Sequence, residues 1–137
     1  MPALVVDASF TAAWFLANEA SEQTDAALRA TVDTDVWVPA LWQLEIGNLL
    51  ISAQRRKRVT AEKRIELVNS AASLRLRVDR EPVSVVALDA LAAIHQLTTY
   101  DAAYLELAVR RNLPLATQDA ALQRAMLAVG VAQWTAG

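Results

Sequence analysis

Short runs of β-branched and aliphatic residues alternate along this chain with longer segments of helical period, and few folds accommodate that alternation. Leu4-Val5-Val6 is too short and too β-branched for a helix. Ser9 or Thr11 then offers an N-cap for an apolar stretch reaching Leu16. Ser21 opens a helix carrying Ala26, Leu28 and Ala30, which stops before Asp33-Thr34-Asp35. Val36-Trp37-Val38-Pro39 reads as a second strand ended by proline, and Ala40 to Arg56 as a helix with Leu41, Leu44, Leu49 and Ile51 turned inward. Thr60 begins another helix through Ser73, whose apolar side is Ile65, Leu67, Val68 and Ala72. Leu74, Leu76 and Val78 alternate with Arg75, Arg77 and Asp79, the period of an edge or half-exposed strand. From Pro82 a helix reaches about Leu97. Thr99 caps one from Tyr100 to Arg111, closed by Asn112; Leu113-Pro114-Leu115-Ala116 supplies a strand. Asp119 starts a helix that Gly130 stops, and Val131-Ala132-Gln133-Trp134 reads as a last strand.

Strands separated by helices predict an α/β fold, a three-layer α/β/α sandwich with a mostly parallel central sheet and right-handed crossovers. No repeat, low-complexity tract or linker interrupts residues 1–137, so one domain is expected. With 137 residues and 55% hydrophobic content, such a domain buries roughly two-thirds of its unfolded surface. The absence of cysteine excludes disulfides and thiolate zinc sites. No apolar run reaches the roughly 18 residues of a membrane span, and Met1-Pro2-Ala3-Leu4 lacks the basic start of a signal peptide. The expectation is a soluble, cytoplasmic protein with no membrane partner. A net charge of -2 says little about other partners, since clusters of opposite sign cancel in a total.

Asp7, Glu45, Asp101 and Asp119 each stand where a strand gives way to a turn or near the start of a helix. Parallel sheets bring the carboxyl ends of their strands to one edge, so acids distant in sequence converge there. Converged carboxylates repel, and a fold retains them mainly when a divalent cation neutralises them. Hard oxygen ligands with no cysteine and one histidine point to magnesium or manganese rather than zinc. Taken singly, each of these acids reads as a turn or cap residue; the four together read as a metal-dependent phosphoryl-transfer site. Glu62 and Glu66 fit ion pairs on a basic helix, and Trp14, Trp37, Trp42 and Trp134 fit core or interface positions.

The segments Val5-Val6-Asp7-Ala8-Ser9, Val38-Pro39-Ala40-Leu41-Trp42-Gln43-Leu44-Glu45, Thr99-Tyr100-Asp101-Ala102-Ala103-Tyr104 and Leu115-Ala116-Thr117-Gln118-Asp119 closely resemble the PIN-domain family, and within it the VapC-type toxin ribonucleases. The resemblance spans nearly the whole chain. It implies a magnesium-dependent endoribonuclease in which manganese substitutes, with Asp7, Glu45 and Asp101 as central acids and Asp119 at a fourth position. Ser9 matches a small hydroxyl residue beside the first acid, and Thr117 a hydroxyl residue that orients a carboxylate. It also implies an RNA substrate, a cognate antitoxin protein with a segment packed near Trp14, Phe15 and Leu16 or near Leu41, Trp42, Leu49 and Leu50, and a homodimer.

Arg55-Arg56-Lys57-Arg58, followed by Lys63 and Arg64, lies about three turns beyond Glu45 and suits RNA phosphates or, equally, a solvated helix end. Arg110-Arg111 repeats the pattern in miniature. A haloacid-dehalogenase-like phosphatase needs a second Asp two residues after the first, where Ser9 stands, and a late lysine; Lys57 and Lys63 lie mid-chain. A receiver domain fails for the same reasons. The chain's three glycines disfavour a glycine-rich nucleotide loop. The remaining competitor is a PIN fold that binds RNA or protein without cutting.

Overall fold

A computed structural model describes residues 3–136; Met1, Pro2 and Gly137, the outer ends of the expected domain, lie outside the described residues. Four strands, β1 (Leu4–Val6), β2 (Val36–Pro39), β3 (Leu76–Asp79) and β4 (Leu115–Ala116), form one sheet in the order β3-β2-β1-β4. Every pairing is parallel: Val5 lies beside Trp37 on one flank and Leu115 on the other, and Val38 beside Val78. Parallel neighbours need long crossovers, and these run through α1 (Ala8–Ala12), α2 (Glu22–Ala30), α3 (Leu41–Arg55), α4 (Ala61–Ser73), α5 (Val85–His95) and α6 (Thr99–Arg111), while α7 (Ala120–Val129) follows β4. Helices cover both faces of the sheet, which is the α/β architecture the alternation predicts.

The core explains the strand order. Leu4, Val5, Val6, Leu115 and Ala116 are fully buried, so the two strands β1 and β4 carry no polar face. β3 lies at the edge, and Arg77, like Arg75 just before the strand, is exposed, but Asp79 at the next alternate position is buried rather than wet. Ala102, Leu105 and Ala108 on one side of α6 pack into the same core. Trp42 and the other tryptophans pack in or against it; the Trp42 indole N–H also donates to Thr11 (2.9 Å), fastening α3 to α1.

Several local expectations are corrected. Asp7, rather than Ser9 or Thr11, caps α1, which ends at Ala12. Thr98 rather than Thr99 caps α6. The buried stripe of α3 is Trp42, Ile46, Leu50 and Ala53, and Leu44 is 73% exposed. Both stripes have helical spacing, and the one carrying the large indole wins the core. Ile65 and Val68 of α4 are exposed as well. The last strand reduces to a single parallel bridge between Leu115 and Gln133, because β4 itself offers two residues to pair with. Among the described residues no helix is long and apolar enough to cross a membrane.

Candidate active site

β1 ends at Val6, and the chain turns at once into α1 with Asp7 as its cap. Extended backbone at Asp7 lets its carboxylate fold back, so Oδ1 accepts from the Phe10 N–H (2.8 Å) and from the Ser9 hydroxyl (2.9 Å). The Thr117 hydroxyl donates to Oδ2. That same hydroxyl accepts from the Asp119 N–H (3.0 Å), which fixes where its hydrogen points. Thr117 therefore ties the end of β4 to the end of β1. Asp119 in turn caps α7 by accepting from the Leu122 N–H (3.1 Å).

α3 and α6 bring the other two acids. Glu45 sits one turn into α3, and the Tyr104 hydroxyl donates to its Oε1 at 2.6 Å. Tyr104 is three residues beyond Asp101, hence on the same side of α6. Asp101 lies in the first turn, where its backbone N–H donates to the Thr98 hydroxyl (3.1 Å). Asp7, Ser9, Glu45, Asp101, Tyr104 and Asp119 line one cleft of about 230 Å³ at the carboxyl edge of the sheet. Among the described residues no lysine, arginine or histidine lines it.

Burial without a counter-charge lifts the Asp7, Glu45 and Asp101 carboxyls. Asp7, 3% exposed, is raised from 3.8 to about 6; burial outweighs the three hydrogen bonds that favour its charged form, and Asp101 pushes it further up. Glu45 is raised by burial and by Asp101, against the lowering effect of Tyr104. Asp101 is raised by burial and then by Asp119. Tyr104 is held protonated by its own burial and by Glu45, so it acts as a hydrogen-bond donor.

The donor set is oxygen alone, which suits magnesium or manganese. Among the described residues no group of three acids stands close enough to form a ready-made metal cage. A hard cation of this class needs as few as one or two carboxylates, with waters completing its shell. Asp7 retains about one of its four acceptor directions after its three hydrogen bonds.

The comparisons with known proteins decide the family. The PIN domain family model matches residues 4–126, most of the chain. The chain belongs to the PIN domain family. The crystal structure of PAE2754 from Pyrobaculum aerophilum is similar to it, with 25% identity and a TM-score of 0.71 over 90% of this chain and 84% of that one. No curated protein shows significant sequence similarity.

Outside the cleft, the basic residues of this PIN domain separate into two kinds. Arg55, Arg56, Lys57 and Arg58 are exposed where α3 ends, with Lys57 in a left-handed turn (φ 60), and no ion pair among the described residues engages them. Arg110 and Arg111, whose sequence pattern suggests a smaller phosphate grip, are instead committed to protein: both bind buried Asp79, at 2.7 and 2.8 Å. Arg110 also pairs with Glu81 and Glu106, and Arg111 lies 3.6 Å over the Trp37 ring. Lys63 pairs with Glu66, and Arg64 donates to Gln54. The sequence alone does not single out Tyr104, although its spacing of three from Asp101 puts it on the same side of α6.

Proposed function

We propose that this PIN domain is a magnesium- or manganese-dependent endoribonuclease, the toxin of a toxin-antitoxin pair, which cuts RNA phosphodiester bonds at the cleft of Asp7, Glu45, Asp101 and Asp119. The observation that carries the reading is that cleft: four acids from four separate elements meet there without a protein cation. A bound divalent metal supplies charge relief at the phosphoryl group and a more acidic water. Asp7 and Asp101 would hold it directly, with Glu45 and Asp119 acting through water. Ser9, Thr117 and the α1 backbone keep the Asp7 carboxylate in one orientation. Glu45, steadied by Tyr104, is placed to orient a water and accept its proton. Arg55, Arg56, Lys57 and Arg58 would hold RNA phosphates some distance from the cut.

Two partners belong to the same proposal. A ribonuclease of this kind needs an antitoxin protein to restrain it, with a basic side chain complementary to the acids. A second copy of the chain would bury α5, where Val85 and Val86 are 76% and 74% exposed.

The test uses Asp101→Asn, which removes one charge and keeps the shape. The purified protein should cleave RNA with magnesium or manganese and stop when the metal is chelated, and Asp101→Asn should abolish cleavage. Its metal-free melting temperature should equal or exceed that of the unaltered protein, because it relieves repulsion with Asp119, while magnesium stabilises it less. A destabilised variant that still cuts would refute the assignment of Asp101, and cleavage that persists in excess chelator would refute the metal mechanism. A PIN fold that binds RNA without cutting is the outcome if RNA is retained but never shortened.

A further inference from the structure

We propose that the groove opening from the acidic cleft, between α1, α3 and the start of α6, holds an unpaired base of single-stranded RNA beside the scissile phosphate, stacked on Tyr100 with Asn48 at its edge. This inference rests on the ribonuclease reading and adds to it a subsite for sequence preference. The groove encloses about 550 Å³, within the roughly 300–1,000 Å³ usual for small-ligand sites. It shares Ala8, Ser9 and Glu45 with the acidic cleft, so a chain passing through one continues into the other.

The lining selects the occupant. Leu41, Leu44, Leu49 and Tyr100 form its apolar walls, Asn48 its amide, and Glu45 is its one charge among the described residues. A phosphate would meet Glu45 with no cation to offset it, whereas a base is uncharged, flat and polar at its rim. Leu44 is 73% exposed and Tyr100 59% exposed, so the apolar surface stands open. Tyr100 immediately precedes Asp101 on α6, and Asn48 follows Glu45 by one turn on α3. Both therefore ride on the helices that carry the acids. Neither side chain makes a hydrogen bond among the described residues, which leaves the Tyr100 face and the Asn48 amide for a ligand. Stacking on an aromatic ring accepts any base, and the amide can pair with the Watson–Crick edge of some bases better than others.

The experiment measures binding of a short single-stranded RNA carrying one 2-aminopurine to non-cleaving Asp101→Asn protein, with Tyr100 intact or changed to Phe or Ala. Fluorescence should change on binding to Asp101→Asn and to its Tyr100→Phe form, and that change should vanish with Tyr100→Ala. Affinity should fall roughly 5- to 150-fold with Tyr100→Ala, the range for one stacked base, while its salt dependence stays the same because every phosphate keeps its protein partner. Equal affinity and fluorescence in all three proteins would overturn the subsite. So would a weakening accompanied by a flatter salt dependence, or a Tyr100→Ala effect confined to the protein's oligomeric state, which would give this surface to a second copy of the chain. Cleavage by unaltered protein is assayed separately: if RNA is cut and these binding results fail, the subsite falls and the nuclease reading stands. If RNA is stacked and never cut, the nuclease reading falls instead.

Discussion

Burial lifts the Asp7 carboxyl while three donors pull it down, and the balance leaves it at about 6 in the folded protein against 3.8 for an unhindered aspartate. In that interval the folded state holds a proton that the unfolded chain has released. The contribution to stability is therefore complete below about pH 4 and is lost as pH rises through 6, amounting to about 3 kcal/mol for a shift of this size. We predict that metal-free protein loses stability between pH 4 and 6, and that Asp7→Asn flattens this decline; Asp79, held low by its arginines, works in the opposite direction and is common to both proteins. Urea denaturation at several pH values in chelator measures the difference. Tyr104→Phe gives a second prediction. It removes the hydrogen bond that holds Glu45 down, so the Glu45 carboxyl should rise further and the acid limb of the pH–rate profile should move to higher pH, with cleavage about 10- to 100-fold slower at neutral pH. An unmoved acid limb would leave Tyr104 a packing residue. The acids were visible in the sequence because each follows an apolar run or opens a helix. Tyr104 was not, since a fully buried tyrosine on an apolar helix face looks like core until its hydroxyl is seen to meet Glu45.

Among the elements, the junction of β3 with the far end of α6 offers the clearest energetic test. Asp79 is buried, and Arg110 and Arg111 approach it from adjacent positions on one helix. Removing one arginine leaves the other to satisfy the carboxylate, whereas removing both strands a buried charge. We predict that Arg110→Ala and Arg111→Ala each cost about 1–2 kcal/mol, and that the double variant loses more than their sum, approaching the roughly 3–5 kcal/mol of a buried ion left unpaired. Chemical denaturation of the four proteins reads the coupling directly; strict additivity would show that Asp79 is solvated in place. Strands and helix spans followed from β-branched runs and caps such as Ser21 and Thr60, whose hydroxyls do accept from the third following N–H. Periodicity failed where two stripes competed, as on α3, because spacing alone does not say which stripe meets the core. It also failed at Gln133, where pairing depends on the length of the neighbouring strand, a property of β4 and not of the segment itself. Arg110 and Arg111 looked like spare charge because their partner lies more than thirty residues away.

Across the whole molecule, charge is divided between an acidic cleft and the exposed basic end of α3. Replacing Arg55, Arg56 and Arg58 with Ala should weaken RNA binding and reduce the slope of log affinity against log salt by about 2, since each phosphate neutralised on a single strand adds roughly 0.7 to that slope. Magnesium-induced stabilisation should not change. Unaltered affinity and slope would return the run to the role of a solvated helix end. The parallel architecture was readable from alternation because hairpin turns are missing between the strands, while the surface partners were not, since exposed apolar residues on α5 look the same in sequence as buried ones. The strand order has a bearing on synthesis. Of these four strands β1 leaves the ribosome first yet waits between β2 and β4, and β4 emerges last. Thr117, which orients Asp7, and Asp119 follow β4 directly, 110 and 112 residues after Asp7 in the chain. A nascent chain short of that point lacks both Asp119 and the hydroxyl that orients Asp7, so the four-acid cleft cannot assemble until β4 and the start of α7 have been made.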